Sequence, residues 1–345
     1  MKKMMAAIYS EPNRIEIQEV RIPKTAIGDA LIRVHSCGIC GSDLAIVSGK
    51  HPRVTPPLII GHEFSGEIVS INSDEKSNVQ IGDEVVVYPL LSCGRCFACR
   101  NGFEHVCKDL RVIGFDRDGG MAEYIVLPLD KLIKLPGSFD LDIGPLIEPL
   151  SVCVHAISMI DLKPEYKIVV LGAGPIGLLT AMVLKHQGIS NLHITDISSY
   201  RLQIARKLGL QALNTNEVNI VQYMEDATSG DMADIVFEIA GVPESARQMT
   251  DLVHPRGTIV NVSVFKNQPV VDMRGINFKE LTIVGSRVYT RDDFKKAIQM
   301  APELPLREIV THRFPLSGVA NAFQMLFNNE NACKVLFNFN QGSGI

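Results

Sequence analysis

No stretch of about 18 residues in this chain is uninterruptedly apolar, so the sequence offers no membrane-spanning helix. No long run carries charge of one sign, and 34 basic against 38 acidic residues leave a net charge of −4. That balance excludes nucleic acid and anionic membrane surfaces as main partners. A secretory signal is not expected. Met1-Lys2-Lys3-Met4-Met5-Ala6-Ala7 is followed at once by Glu11, Asn13 and Arg14, which leave no long apolar segment. The expected compartment is the cytoplasm. Internal repeats and low-complexity linkers are also missing. What remains is the composition of an ordinary soluble enzyme, 46% hydrophobic and 21% charged. At 345 residues it is long enough for two domains, each with its own core.

One stretch organises the rest. Ile168-Val169-Val170-Leu171 is a short β-branched run that ends in Gly172-Ala173-Gly174-Pro175-Ile176-Gly177. An apolar, helix-favouring segment follows, Leu178 to Lys185. A second apolar run, Leu192–Thr195, ends in Asp196. Strand, G-x-G-x-x-G turn, helix, strand and acid are the parts of a dinucleotide site. The first glycine allows the sharp turn and the second lets a pyrophosphate approach. The third lets helix pack on strand. The helix N-terminus supplies amides and a positive dipole end. Asp196 is placed to accept from the ribose hydroxyls of NAD. Its charge opposes the 2′-phosphate of NADP, although Arg201, five residues on, could offset that.

The texture of the chain divides near residue 150. Before it lie short strands, among them 6–9, 14–20, 30–34, 66–71 and 83–88. Ile15 and Ile17 alternate with Glu16 and Gln18, the period of a half-buried strand. After it, strand-like and helix-like stretches alternate: 167–171 then a helix, 192–195 then 199–208, 235–239 then 243–252, and 258–262 and 281–284 as strands. This predicts a parallel sheet covered by helices. The chain ends with helical 292–300, strand 309–314, helix 319–326 and strand 334–339. The expected domains are therefore 1–149, 150–287 and a C-terminal return, 288–345.

Four of the eight cysteines are Cys93, Cys96, Cys99 and Cys107. Without a secretion signal, that clustering points to metal rather than disulfides. Four thiolates on a tight loop suit a closed, structural zinc. An iron–sulfur cluster is the alternative, but Cys107 is followed by Lys108 rather than Pro, unlike the bacterial ferredoxin run. A second set is dispersed: Cys40, His62, Glu63 and Glu148. One thiolate, one imidazole and two carboxylates are enough for a catalytic zinc with an open position.

Together these motifs resemble the zinc-dependent medium-chain dehydrogenases along essentially the whole chain. The matching segments are Gly38–Asp43, Gly61-His62-Glu63, the four-cysteine loop, Asp118–Tyr124, Ile147–Val152 and the glycine turn. The similarity is greatest to the sorbitol and threonine dehydrogenase branch, which includes galactitol-phosphate and sugar-acid dehydrogenases. The resemblance implies an α/β chain: a GroES-like β-rich catalytic domain plus a Rossmann, doubly wound domain. It implies that Cys40 and His62 bind catalytic zinc, with Glu63 or Glu148 as the remaining carboxylate. Ser42 would contact the substrate hydroxyl, Asp43 would orient His62, and Lys334 would lie nearby. Ser286 and Arg287 would reach the nicotinamide and substrate region. Many relatives carry a histidine five residues after the ligand cysteine; here the residue is Ala45. Proton release is then expected through Glu148 and a water, or through Ser42 and a cofactor hydroxyl. His51 is not assigned that role.

The implied activity is NAD-linked oxidation of a secondary hydroxyl on a polyol, sugar acid or sugar-alcohol phosphate. Alternatives are a threonine-type or simple secondary-alcohol dehydrogenase, a reductase, or a non-catalytic protein that binds zinc and nucleotide. The implied partners are a small-molecule alcohol and other copies of the chain, as a homotetramer or homodimer.

Overall fold

An apolar run, Met4–Tyr9, and an alternating one, Ile15–Gln18, build the first hairpin. In the computed structural model, which describes residues 2–74, 76–137, 139–328 and 331–339, β1 (Lys3–Glu11) pairs antiparallel with β2 (Arg14–Arg21). Then come β3 (Asp29–Gly38), α1 (Gly41–Val47), β4 (Leu58–Ile59), β5 (Glu63–Asn72), β6 (Glu84–Val87), β7 (Leu90–Leu91), α2 (Phe97–Arg100), β8 (Arg111–Val112), β9 (Tyr124–Pro128), β10 (Leu132–Lys134) and α3 (Ile147–Ser158). The middle of the chain alternates β11 (Ile168–Leu171), α4 (Pro175–His186), β12 (Leu192–Asp196), α5 (Ser199–Lys207), β13 (Gln211–Asn214), α6 (Ile220–Ala227), β14 (Ala233–Glu238), α7 (Pro243–Gln248), β15 (Val253–Asn261), α8 (Met273–Phe278) and β16 (Thr282–Gly285). It closes with α9 (Arg291–Met300), β17 (Val310–Pro315), α10 (Val319–Phe327) and β18 (Lys334–Asn338).

The chain divides into two compact units. One comprises Met1–Pro149, Thr290–Ile298 and Val310–Ile345; the other comprises Leu150–Tyr289 and Gln299–Ile309. Residues 288–345 therefore do not all return to the first unit, as the sequence had suggested, because 299–309 packs with the second.

The first unit is β-rich. Its largest sheet runs β10-β6-β5-β3-β18-β17, with β9 pairing to β3. Strand β3 is shared along its length: residues 29–33 pair with β9 and residues 36–38 with β18. Ile32, Phe64, Ile68, Val335 and Phe337 fill the core beneath. The second unit is a six-stranded parallel sheet in the order β13-β12-β11-β14-β15-β16. Strands β11 and β14 are central and buried, which explains the apolar runs Ile168–Leu171 and Ile235–Phe237. The strand order reverses direction at β11, where the chain crosses from one half of the sheet to the other. That is the place at which α/β sheets bind ligands.

Residues 141–158 form one continuous helical run, long and apolar enough to cross a membrane by composition. It contains Asp142 and Glu148, and 78% of it is buried within the protein, so it is a core helix. Pro149 lies two residues into α3, where the 3-10 turns of 141–146 pass into α-helix. The helix expected over 243–252 stops at Gln248, since Val253 already begins β15.

Candidate metal and nucleotide sites

The four-cysteine loop forms on two glycine turns, Gly94 (φ +67°) and Gly102 (φ +79°). Its sulfurs lie 3.5 Å (Cys96–Cys99), 3.8 Å (Cys96–Cys107) and 4.0 Å (Cys93–Cys99) apart. All four fall within 4.8 Å of one another. These separations are far beyond a disulfide bond. Zinc–sulfur bonds of about 2.3 Å in a tetrahedron place sulfurs about 3.8 Å apart, so the loop fits zinc. Backbone amides ready it for a cation. The Cys93 and Asp109 amides donate to the Cys107 sulfur at 3.3 and 3.4 Å. The amides of Cys99 and Lys108 pull the Cys96 thiol down to about 6. Burial and the neighbouring thiols push Cys99 up to about 11. Cys96 therefore ionises more readily than Cys99.

The second cluster is assembled by strand register. Gly38, the last residue of β3, pairs with Glu63 of β5 on one side and Leu336 of β18 on the other. Cys40, His62-Glu63 and Lys334 converge as a result, although 294 positions separate Cys40 from Lys334. One ligand atom each from Cys40, His62 and Glu63 lies within 4.8 Å of the others. His62 and Glu63 are buried, and Cys40 is partly exposed. Glu148 is not in that cluster, but its charge acts on both His62 and Lys334. Glu63 is ion-paired with Lys334 in a fully buried contact, and Lys334 Nζ donates to the Ile39 carbonyl at 3.1 Å. A Cβ at Gly38 would fall 2.3 Å from the Glu63 carboxylate, so glycine makes room for the pair.

Around His62 the polar atoms are conspicuously short of partners. Asp43 Oδ2 accepts from the Cys40 amide at 2.8 Å. Asp43 Oδ1 and His62 Nδ1 are 3.8 Å apart, an ion-pair distance, and neither makes a hydrogen bond. The Ser42 hydroxyl is likewise buried without one. Burial pushes Asp43 up to about 6, against the opposing pull of His62. Burial opposes charge on His62 too, but Asp43, Cys40 and Glu148 outweigh it and raise the imidazole well above its ordinary range. Three negative groups around one imidazole, beside unsatisfied buried polar atoms, are the surroundings that a divalent cation completes. The Phe115 ring meets His62 nearly edge-on, with centroids 4.8 Å apart.

In the second unit two of the three glycines of the turn, Gly172 and Gly177, have a steric cause in the fold itself. Gly172 has φ +105°, and a Cβ there would approach the Ala240 backbone at 3.1 Å. A Cβ on Gly177 would lie 1.8 Å from the Gly172 carbonyl oxygen. A Cβ on Gly174 would meet nothing within 4 Å, which leaves open space before the first turn of α4. Gly174 caps that helix, Pro175 is its first residue and Ile176 follows. Asp196, at the end of β12, accepts from the amides of Ala173 and Ser198, both at 2.8 Å. Arg201 Nη1 lies 3.9 Å from the same carboxylate. Open space before a helix N-terminus, beside a fixed carboxylate, fits a pyrophosphate and its ribose.

Ser286 and Arg287 follow β16. The Ser286 hydroxyl is buried without a hydrogen bond, whereas Arg287 is exposed. Val288 next to it has φ +43°, a costly conformation for a β-branched residue. Sequence reasoning missed Glu238. It ends β14 fully buried, accepts from Gly241 N at 2.9 Å and Ser245 Oγ at 2.6 Å, and also binds the Ser263 hydroxyl. The signal was available, because Glu238 sits near the end of an apolar run, as Asp196 does.

Comparison with known proteins agrees with this geometry. Residues 26–137 match the alcohol dehydrogenase GroES-like domain, and residues 175–303 match the zinc-binding dehydrogenase family. The chain is 34% identical to 2-dehydro-3-deoxy-L-galactonate 5-dehydrogenase of Pseudoalteromonas atlantica, over 98% of this chain and 99% of that one. It is 32% identical to L-threonine 3-dehydrogenase of Shigella dysenteriae, over 93% of this chain and 96% of that one. Among solved structures, a zinc-binding dehydrogenase of Sinorhizobium meliloti bound to NADP superimposes with a TM-score of 0.92 at 28% identity, over 98% of this chain and 100% of that one. With two cysteine-bearing clusters on a GroES-like unit and a glycine turn on a parallel sheet, this chain belongs to the zinc-dependent medium-chain alcohol dehydrogenases.

Proposed function

We propose that this dehydrogenase oxidises one secondary hydroxyl of a polyhydroxylated chain to the ketone, with NAD as hydride acceptor. Its substrate class is a polyol, sugar acid or sugar-alcohol phosphate. The observation that carries the reading is the buried Ser42 hydroxyl, unpartnered and two residues from Cys40. A buried hydroxyl left unsatisfied costs about 1–3 kcal/mol. The reacting hydroxyl of an alcohol recovers that loss, so Ser42 argues for an alcohol substrate, and the polyhydroxylated class is argued from the relatives. The sugar-acid relative supports the same class. L-Threonine, the substrate named for the other relative, is the second reading.

Zinc, when bound, supplies Lewis-acid chemistry that brings an alcohol hydroxyl within reach of ionisation near neutral pH. Cys40 and His62 would hold it, with a carboxylate from Glu63 or Glu148. Asp43, 3.8 Å from His62 Nδ1, acts on the ring by charge. Lys334 engages Glu63, and Glu148, whose charge acts on both His62 and Lys334, is the second carboxylate at hand for ligation or proton transfer. Ser42 is positioned to take the hydrogen bond of the reacting hydroxyl.

For the cofactor, the α4 N-terminus and the space at Gly174 would hold the pyrophosphate, and Asp196 would accept from the ribose hydroxyls. Both Asp196 oxygens accept from backbone amides, which anchors the carboxylate where a 2′-phosphate would need to sit. This favours NAD even though one structural neighbour binds NADP. Arg287, exposed after β16, is assigned to an anionic group of substrate or cofactor.

The test is nicotinamide reduction with polyols, sugar acids, sugar-alcohol phosphates and L-threonine, using the zinc-loaded protein with NAD and with NADP. Turnover of ethanol or benzyl alcohol with none on any polyhydroxylated compound refutes the substrate class. Turnover of L-threonine alone establishes the second reading.

A further inference from the structure

The loop after α1 carries a histidine that the reading above leaves unused. The amides of Lys50 and His51 both donate to the Ala45 carbonyl, at 2.9 and 3.0 Å, which folds the loop back onto the helix that starts beside Cys40. The His51 ring packs on Phe115 with centroids 5.1 Å apart. The same Phe115 ring meets His62 at 4.8 Å. One aromatic ring thus separates His51 from the candidate metal cluster. His51 is half-buried and His62 buried, so His51 is the more solvent-facing of the two imidazoles.

The backbone selects its tautomer. The Arg53 amide donates to Nδ1 at 3.4 Å. A neutral imidazole that accepts at Nδ1 carries its proton on Nε2. No group among the described residues accepts a hydrogen bond from that Nε2–H. Burial and the Arg53 guanidinium hold the ring below its ordinary range, with Asp116 opposing them. Arg53 and Asp116 are themselves paired at 3.6 Å, and Arg53 also binds the Leu110 carbonyl. At neutral pH the result is a fixed, uncharged donor beside the ring that covers His62. Its available nitrogen already holds a proton, so the geometry suits recognition rather than proton removal.

We propose that His51 is a specificity-determining residue whose Nε2–H donates to a hydroxyl adjacent to the reacting carbon, and that it selects vicinally hydroxylated alcohols. The proposal rests on the polyhydroxylated-substrate reading and names the residue that enforces it. An alcohol without that second oxygen forgoes this hydrogen bond, worth discrimination of up to about tenfold.

The test compares kcat/KM for 2,3-butanediol and 2-butanol, which differ by that one hydroxyl, in the wild type, His51→Phe and His51→Gln. Phenylalanine keeps the ring contact with Phe115 and removes the donor; glutamine keeps an N–H donor. The wild type should favour the diol by up to about tenfold. In His51→Phe the ratio should fall to near parity, mainly through KM for the diol, and His51→Gln should restore a clear preference. A diol preference that survives in His51→Phe refutes the role of His51 and leaves the substrate class standing. A wild type that shows no preference, or oxidises neither compound, counts against the substrate class and the proposal together. Loss of the preference in both variants also refutes the donor argument, because glutamine then fails to replace the N–H.

Discussion

Replacing Lys334 with methionine tests how the dispersed metal cluster is held. The Lys334 and Glu63 side chains are only 2% and 1% exposed, so neither charge has water to fall back on. Removing one partner of a buried pair costs about 3–5 kcal/mol, because the other charge stays in a poor medium. Methionine fills nearly the same volume, so little of the loss comes from a cavity. The Ile39 carbonyl also loses its bond from Lys334 Nζ, which places the expected cost toward the upper end. For a unit of this size each kcal/mol shifts the midpoint by about 2–4 °C, giving a fall of about 6–20 °C. Calorimetry with parallel zinc analysis reads both quantities. Glu63→Gln combined with Lys334→Met removes both charges and should recover most of the loss. The pair raises the Lys334 pKa above its ordinary range, so its contribution is complete below that range and is lost only as pH climbs through the raised value. The difference between variant and wild type should therefore be flat from about pH 6 to 9. A fall worth less than about 1 kcal/mol, or a double variant weaker than the single, refutes the reasoning. So does tighter zinc binding with an unchanged midpoint, which would mean that Lys334 had been keeping Glu63 from the metal at no structural cost.

Elemental analysis should find about two zinc ions per chain, and Cys99→Ser should lose one of them together with much of the solubility; iron and sulfide would overturn the assignment. The Cys96 thiol is depressed from 9.0 to about 6, so its stabilisation is complete above the ordinary thiol range and declines as pH falls toward 6. Zinc followed with a chromogenic chelator should be held at pH 7 and leave as acid protonates the thiolates, and rapid release at pH 7 would contradict the four-thiolate assignment. Gly174→Ala should keep the wild-type midpoint and weaken NAD binding at least about tenfold, whereas Gly177→Ala should destabilise the fold itself by about 1–3 kcal/mol or more, since its Cβ would lie 1.8 Å from a backbone oxygen. Equal behaviour of the two variants in thermal unfolding and NAD titration would show that the turn has been misread. The wild type should use NAD with a higher kcat/KM than NADP; the reverse would remove the role given to Asp196.

Much of the fold was legible because its causes are local. The spacing of the glycine turn is written in six consecutive residues, and β11 announces its central place by an unbroken apolar run, Ile168–Leu171. Strand β13 and helix α6 were not read. Gln211–Asn214 is a partly exposed edge strand of mixed polarity, and it has neither the alternation nor the apolar run that marks the others. The four-cysteine loop was equally plain, since all its ligands come from one short segment.

The other cluster was legible only through the family resemblance, and the reason is physical. No spacing along the chain relates Cys40, His62 and Lys334. Their relation is one of register, set where Gly38 meets Glu63 and Leu336 across two strand pairs. A slip of one residue in either pairing would turn Glu63 or Lys334 to the opposite face of the sheet and break the buried pair. The pair is thus a check on register as well as a neighbour of the metal cluster. It joins the chain's first hundred residues to its last strand, so the cluster forms only once β18 has docked. Zinc affinity at Cys40 and His62 should then depend on a strand that supplies no ligand. Truncation before β18 should release that zinc while the four-cysteine loop, complete by Cys107, keeps its own.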